Sequence, residues 1–167
     1  MIIHADSLLL SLDYRLIMKN LFNYYEGSLS SFLTEAVAIK DHLVKIVISP
    51  VDSGLLSMLL PELDAEFIHV LDNYAIRHIM MKHANEKEVL RGQILVALDD
   101  FLLLAEILSS YDSVSVEIRQ GRKILKYQKE YPTFICCYVE EIRAGRKELA
   151  AVTFYKKRKG KLTDANS

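Results

Sequence analysis

The residues able to move protons and meet negative charge are concentrated in residues 72–93, DNYAIRHIMMKHANEKEVLRGQ. This segment holds His78 and His83, two of the five histidines, with the cations Arg77, Lys82, Lys87 and Arg91. Taken as a helix from Asp72, at about 100° per residue, it sets Ala75, Ile76, Ile79 and Met80 on one apolar stripe. Arg77, His78 and Lys82 fall on the flanks. His83 lies near the middle of the stripe, at the end where the helix runs into Asn85. The carbonyl end of a helix favours an imidazolium, and apolar burial disfavours it. A group under those opposing pushes exchanges protons near neutral pH, as a general acid or base must. The bland alternative is a hydrogen-bonded core histidine. His78 and His83 stand five residues apart, roughly 140° around the helix, so they do not grip one metal ion as an i, i+4 pair does. No metal site is expected.

Composition limits the frame around these residues. Hydrophobic residues make up 51% and charged residues 26% of the 167, with three prolines and six glycines, which describes a folded chain. Its richest apolar run, FLLLAEIL at 101–108, is interrupted by Glu106 and is too short to span a membrane. The opening MIIHADSLLLSLDYR carries acids where a signal peptide has cations. Cys136 and Cys137 are adjacent, so a strand sends them to opposite faces; they suit neither a disulfide framework nor a metal site. A cytoplasmic location is the expectation. The net charge of −1 conceals a split. Residues 1–114 carry 8 Lys/Arg against 16 Asp/Glu, and residues 115–161 carry 13 against 5. The basic half is a candidate surface for a polyanion, or merely the charged covering of a sheet.

The elements that must hold the proton-moving residues follow in order. Residues 13–25 have helical spacing, and a second helix starts at Ser28 or Ser30 and runs to about residue 42, with Phe32, Leu33, Ala36 and Ile39 inward. Residues 44–51 form a short edge strand ended by Pro50. One or two helical turns follow between Gly54 and Pro61, and residues 67–71 form another short strand that feeds the helix from Asp72. Asp99 and Asp100 cap an apolar helix to about Ser110. The period then changes from 3.6 to 2. Residues 114–119, 123–131, 133–143 and 147–157 alternate as four strands, with turns at Gln120-Gly121 and Ala144-Gly145. The expected architecture is α+β: N-terminal helices followed by a four-stranded antiparallel sheet with helices on one face. In the last strand Ala150, Val152 and Phe154 are expected to form the covered face. Thr153, Tyr155 and Lys157 would present hydroxyls and a cation on the open one.

Two blocks carry a family resemblance: residues 72–93 as quoted, and YVEEIRAGRKELAAVTFYKKRK at 138–159. With DDF at 99–101, YDSV at 111–114 and YQK at 127–129 between them, they resemble phage- and mobile-element-associated nucleases of the barnase–EndoU–colicin–RelE (BECR) type. The resemblance spans roughly residues 66–159, so the expected division is a mainly helical region 1–65, a nuclease domain 66–159 and a frayed tail 160–167. Asn85 stands where such chains more often have glycine, and Ala105 where they have proline.

The resemblance implies a metal-independent, cofactor-free endoribonuclease of toxin or mobile-element effector type. It would cut RNA by attack of the ribose 2′-OH and bind it through the basic 115–161 half. An antitoxin-like inhibitor protein is a possible partner. On that reading His83 is the general acid or base, with His78 its alternative or partner. Arg91 and Lys129 meet the scissile phosphate, and Thr153 orients it by its hydroxyl. Arg77, Tyr127, Arg143, Tyr155 and Lys156 hold the flanking backbone or a base, while Glu88 and Glu141 orient arginines or simply pair with them. Two alternatives stand beside it. One is a nuclease-like module that binds RNA or protein without cutting. The other is an interaction protein working through its acidic N-terminal part.

Overall fold

Side-chain caps start the first three helices of the computed structural model, which describes residues 24–63 and 65–160. Ser28 accepts the Ser31 N–H to open α1 (Leu29–Ala36). After strand β1 (Lys45–Pro50), Asp52 accepts the Leu55 N–H to open α2 (Ser53–Leu59). Strand β2 (Ile68–Asp72) ends on Asp72, which accepts the Ala75 N–H at 2.7 Å and opens α3 (Asn73–His83). A four-residue helix, α4 (Lys87–Leu90), and a two-residue strand, β3 (Gln93–Ile94), follow. A 3-10 turn (Leu98–Leu103) leads into α5 (Leu104–Ser110). The chain then runs through β4 (Ser113–Arg119), β5 (Arg122–Glu130), β6 (Phe134–Arg143) and β7 (Glu148–Arg158).

Several boundaries depart from the sequence pattern for physical reasons. The helix expected over residues 13–25 lies outside the described residues except for its end. There Tyr24 forms a parallel bridge with Lys45, and the Tyr25 N–H donates to the Lys45 carbonyl at 2.7 Å, so these two residues are extended. Helix α1 stops at Ala36 rather than near residue 42. Buried Asn73 takes over the backbone beyond it: its amide donates to the Ile39 and His42 carbonyls and its Oδ1 accepts the Val44 N–H. Of the two expected acidic caps, Asp100 reaches back to the Ala97 N–H at 2.7 Å, and the segment opens as a 3-10 turn before becoming α-helical.

Among the described residues the sheet has seven strands, not four. The expected four form the antiparallel meander β4–β5–β6–β7, whose tightest turn puts Gln120 (φ 49°) and Gly121 (φ 75°) in the left-handed region, as a two-residue hairpin turn requires. Three further strands gather around β7. Strand β2 pairs parallel with its first residues (Val70 opposite Ala150), β1 pairs antiparallel outside β2, and β3 pairs antiparallel with its end (Gln93 opposite Lys157). Between those two pairings α3 and α4 cross alongside β7. The architecture is therefore a mixed α+β fold on a mostly antiparallel sheet.

A β-bulge on β7 corrects the expected covered face. Val139 pairs with Thr153 but Glu140 pairs with Ala151, so Val152 is the extra residue. Alternation slips there by one. Leu149, Ala151 and Phe154 join the main core and Val152 is exposed. Of the expected set Ala150, Val152 and Phe154, Ala150 is buried too, but on the other side of the strand from Leu149 and Ala151. One core unites Phe32, Leu33, Leu55 and Leu56 with Ile76, Ile79, Phe101, Tyr138 and Phe154. Among the described residues no helix is long and apolar enough to cross a membrane.

Candidate active site

Helix α3 ends where the sheet can use its last side chain. The Val96 N–H donates to the His83 carbonyl at 3.0 Å, and the Asn85 amide caps the Met81 and Lys82 carbonyls. Asn85 Oδ1 accepts the Lys87 N–H, turning the chain into α4 and folding Glu88 back against His83. Glu88 is buried, and its Oε2 lies 3.0 Å from His83 Nδ1. Its Oε1 is 3.4 Å from Arg91 Nη1, whose side chain is 68% exposed. On the other side of the ring, His83 Nε2 lies 3.1 Å from Thr153 Oγ1. The Tyr155 ring sits 5.6 Å from the imidazole, tilted by 31°.

Carboxylate, imidazole and hydroxyl thus stand in line. An ionised carboxylate only accepts, so it holds the neutral ring's proton on Nδ1 and leaves Nε2 as the acceptor for the Thr153 hydroxyl. That is the arrangement of a base: Nε2 can take a proton, and Glu88 stabilises the imidazolium that results. Burial, followed by Cys137 beside it, pushes the Tyr155 hydroxyl up to about 12, with Arg119 acting in the opposite direction. Tyr155 therefore remains a hydrogen-bond donor at neutral pH.

The register carries this site onto a polar surface. Thr153 opposes Val139, which opposes Lys126, which opposes Ser115. In the next row Tyr155 opposes Cys137, then Gln128 and Ser113. Lys157 follows Tyr155 on the same side, its ammonium 5.5 Å from the ring centre. Arg119 and Lys126 converge on Glu117 at 3.1 and 3.9 Å. Beyond the buried Val139 and Cys137, these rows carry hydroxyls, an amide and cations on the face that holds Thr153 and Tyr155, a pattern suited to a phosphate backbone.

Of the residues expected at the site, the fold brings His83, Arg91, Thr153 and Tyr155 together. His78 is exposed on another side of α3, and Arg77 is half-buried on that helix. Tyr127 is a correction: fully buried and stacked on Tyr138 at 6.0 Å, it has no surface to offer a substrate. Lys129 and Lys156 are corrections of the same kind. They flank Cys136 in register on the helix-covered face, the opposite face from Thr153. There Lys129 donates to the Ser110 carbonyl at 2.8 Å and Lys156 pairs with Asp100 at 2.7 Å. Arg143 lies at the β6–β7 turn between Glu141 (2.9 Å) and Asp72 (3.7 Å). The basic and acidic halves interlock, since Lys123 also pairs with Glu62 and Lys129 lies 4.0 Å from Glu106.

Sequence reasoning linked Glu88 to arginines and missed its bond to His83. The signal was present but indirect: a histidine and a glutamate five apart across a helix break at Asn85. Among the described residues no group of three or more His, Cys, Asp or Glu side chains could hold a metal ion. A family model described as phage-Barnase-EndoU-ColicinE5/D-RelE like nuclease3 matches residues 55–164, a span that includes every residue of the cluster. No curated protein and no solved structure matches the chain.

Proposed function

The chain belongs to the phage-Barnase-EndoU-ColicinE5/D-RelE like nuclease family, and from that premise we propose that it cuts RNA, with the ribose 2′-OH as nucleophile and His83 as the proton-transferring base. One observation carries the reading: the line Glu88–His83–Thr153, with bonds of 3.0 and 3.1 Å, set at the edge of a polar sheet face. Attack by a 2′-OH needs its proton removed, and a positioned imidazole with Nε2 free of hydrogen can do that. Charge then builds on the phosphorane oxygens, where Arg91, exposed and tethered to Glu88, is placed to meet it. Lys126 and Lys157 hold the flanking phosphates in place of Lys129 and Lys156. Tyr155 offers its hydroxyl and part of its ring to a ribose or base. Because the nucleophile comes from the RNA, the reaction needs neither a covalent enzyme intermediate nor a metal-activated water.

The test is incubation of the purified chain with end-labelled single-stranded RNA and the matching DNA, with and without EDTA. RNA cleavage that survives EDTA and leaves a 2′,3′-cyclic phosphate is the expected result; a 3′-hydroxyl product or a demand for magnesium identifies a different reaction. A second reading has its own support. His83 is only 6% exposed and both its nitrogens are engaged, as in a structural histidine. A binding module of this fold would hold the same RNA and leave it whole.

A further inference from the structure

The access problem at His83 points to a second group. A base must come within about 2.6–3.2 Å of the proton it removes. His83 Nδ1 faces Glu88, Nε2 faces Thr153 Oγ1, and Tyr155 lies beside the ring, so a substrate hydroxyl reaches Nε2 only by displacing Thr153. Thr153, by contrast, is half-buried and lies on the face of the sheet away from the core. Its position there is built into the strand. Without the extra residue at Val152, Thr153 would share the face of Leu149 and Ala151, which is the core. The bulge immediately before it turns Thr153 to the imidazole, and re-aiming a side chain beside a site is what such bulges do.

We propose that Thr153 is a catalytic residue and a proton relay: its hydroxyl contacts the attacking 2′-OH, and His83 acts through it. In one concerted step the 2′-OH proton passes to Thr153 Oγ1 while the threonine's own proton passes to His83 Nε2. The electron pair left on the 2′-oxygen forms the new O–P bond. The P–O5′ bond breaks with its pair going to the 5′-oxygen, which takes a proton from water. The imidazolium then carries a proton on each nitrogen, with Glu88 as the counter-charge at Nδ1, and loses the extra proton back through Thr153 to solvent. Threonine is unchanged at the end. This inference rests on the nuclease reading and specifies which atom touches the substrate.

Single-turnover cleavage of a single-stranded RNA, RNA affinity and melting are measured for wild type, Thr153→Ser, Thr153→Val, His83→Ala and the Thr153→Val/His83→Ala double variant, with rates taken per folded molecule. Val keeps the shape of Thr and removes only the hydroxyl. Thr153→Val should lose cleavage by roughly 10²–10⁴-fold, like His83→Ala, while Thr153→Ser stays within about tenfold of wild type. The double variant should be no slower than either single one, because the two side chains work as a unit. RNA affinity should hold in all of them. Wild-type rates in Thr153→Val overturn the relay. So does a loss of RNA affinity that matches the loss of rate, which would make Thr153 a phosphate binder, or a double variant whose losses multiply. Intact RNA after incubation with wild type sinks the nuclease reading and the relay with it; cleavage by wild type and by Thr153→Val alike sinks the relay alone.

Discussion

At the scale of single residues, burial and hydrogen bonding pull His83 toward two different interpretations, and one variant separates them. If the imidazole moves a proton, His83→Ala lowers turnover by roughly 10²–10⁴-fold and leaves RNA binding nearly unchanged. On the proposed reading the phosphate contacts come from Arg91, Lys126 and Lys157, not from the ring. If the ring is only structural, the same change strands Glu88 and the Thr153 hydroxyl in a partly dry site. The loss then appears as about 1–3 kcal/mol of stability with activity per folded molecule intact. Melting and single-turnover cleavage on one preparation decide between them. His78→Ala is the control: exposed on another side of α3, it should change neither quantity.

At the scale of elements, the site depends on where α3 starts and stops. Its first residue, Asn73, is fully buried, and its side chain makes three hydrogen bonds to the loop after α1. Its last, His83, is held by the Val96 N–H. Asn73 therefore ties residues 39–44 to the helix that carries the imidazole. Asn73→Ala leaves the Val44 N–H and the Ile39 and His42 carbonyls short of a partner. It should lower the unfolding free energy by about 1–3 kcal/mol, read from denaturant melts. Asp72→Ala, measured alongside, would remove the cap but also a neighbour of Arg143, so Asn73 is the cleaner probe. Unchanged melting of Asn73→Ala would show that the loop is held by something else.

The whole molecule is a charge-split chain folded so that much of the split cancels. Pairs such as Lys156–Asp100, Lys123–Glu62 and Arg143–Asp72 join the basic half to the acidic half. The proposed polyanion surface is therefore narrower than the composition of residues 115–161 suggests. RNA affinity should still fall as salt rises from about 50 to 200 mM, because each neutralised phosphate releases counterions. The slope should correspond to a few phosphates, and an affinity independent of salt would remove the basic face from the reading. A second whole-molecule property follows from buried acids. Burial raises the Cys136 thiol from its ordinary 9.0 to about 12, and the Tyr155 hydroxyl from 10.0 to about 12. Above pH 9 the unfolded chain releases these protons while the folded chain keeps them, so the unfolded state binds fewer protons. Stability should therefore be unaffected by these two groups below about pH 9 and decline between about pH 9 and 12, as followed by denaturant melts. A midpoint constant across that range would show that neither proton is retained by folding.

Helix α3 and the meander were legible in the sequence because their signals are local. An acidic cap, an apolar stripe at helical spacing and a turn with two left-handed residues act over a few positions, and distant residues need not be known. The same locality placed His83 at the end of the buried stripe, next to a helix break. Of the three short strands around β7, the β-branched runs at 44–51 and 67–71 mark β1 and β2, while β3 is too short for a pattern. That they join the same sheet was not legible, because their partners lie up to some eighty positions away. The bulge at Val152 is one residue, yet a period of two loses its phase at one residue. From there Phe154 and Thr153 exchange faces relative to a regular strand. Parity across paired strands likewise sent Tyr127, Lys129 and Lys156 to the covered face, although their types suit an open one. Glu88 became the partner of His83 only because Asn85 turned the chain between them. The sequence determined which residues can do chemistry; tertiary pairing decided which of them meet, because meeting depends on strand register and on the direction the chain takes after each break.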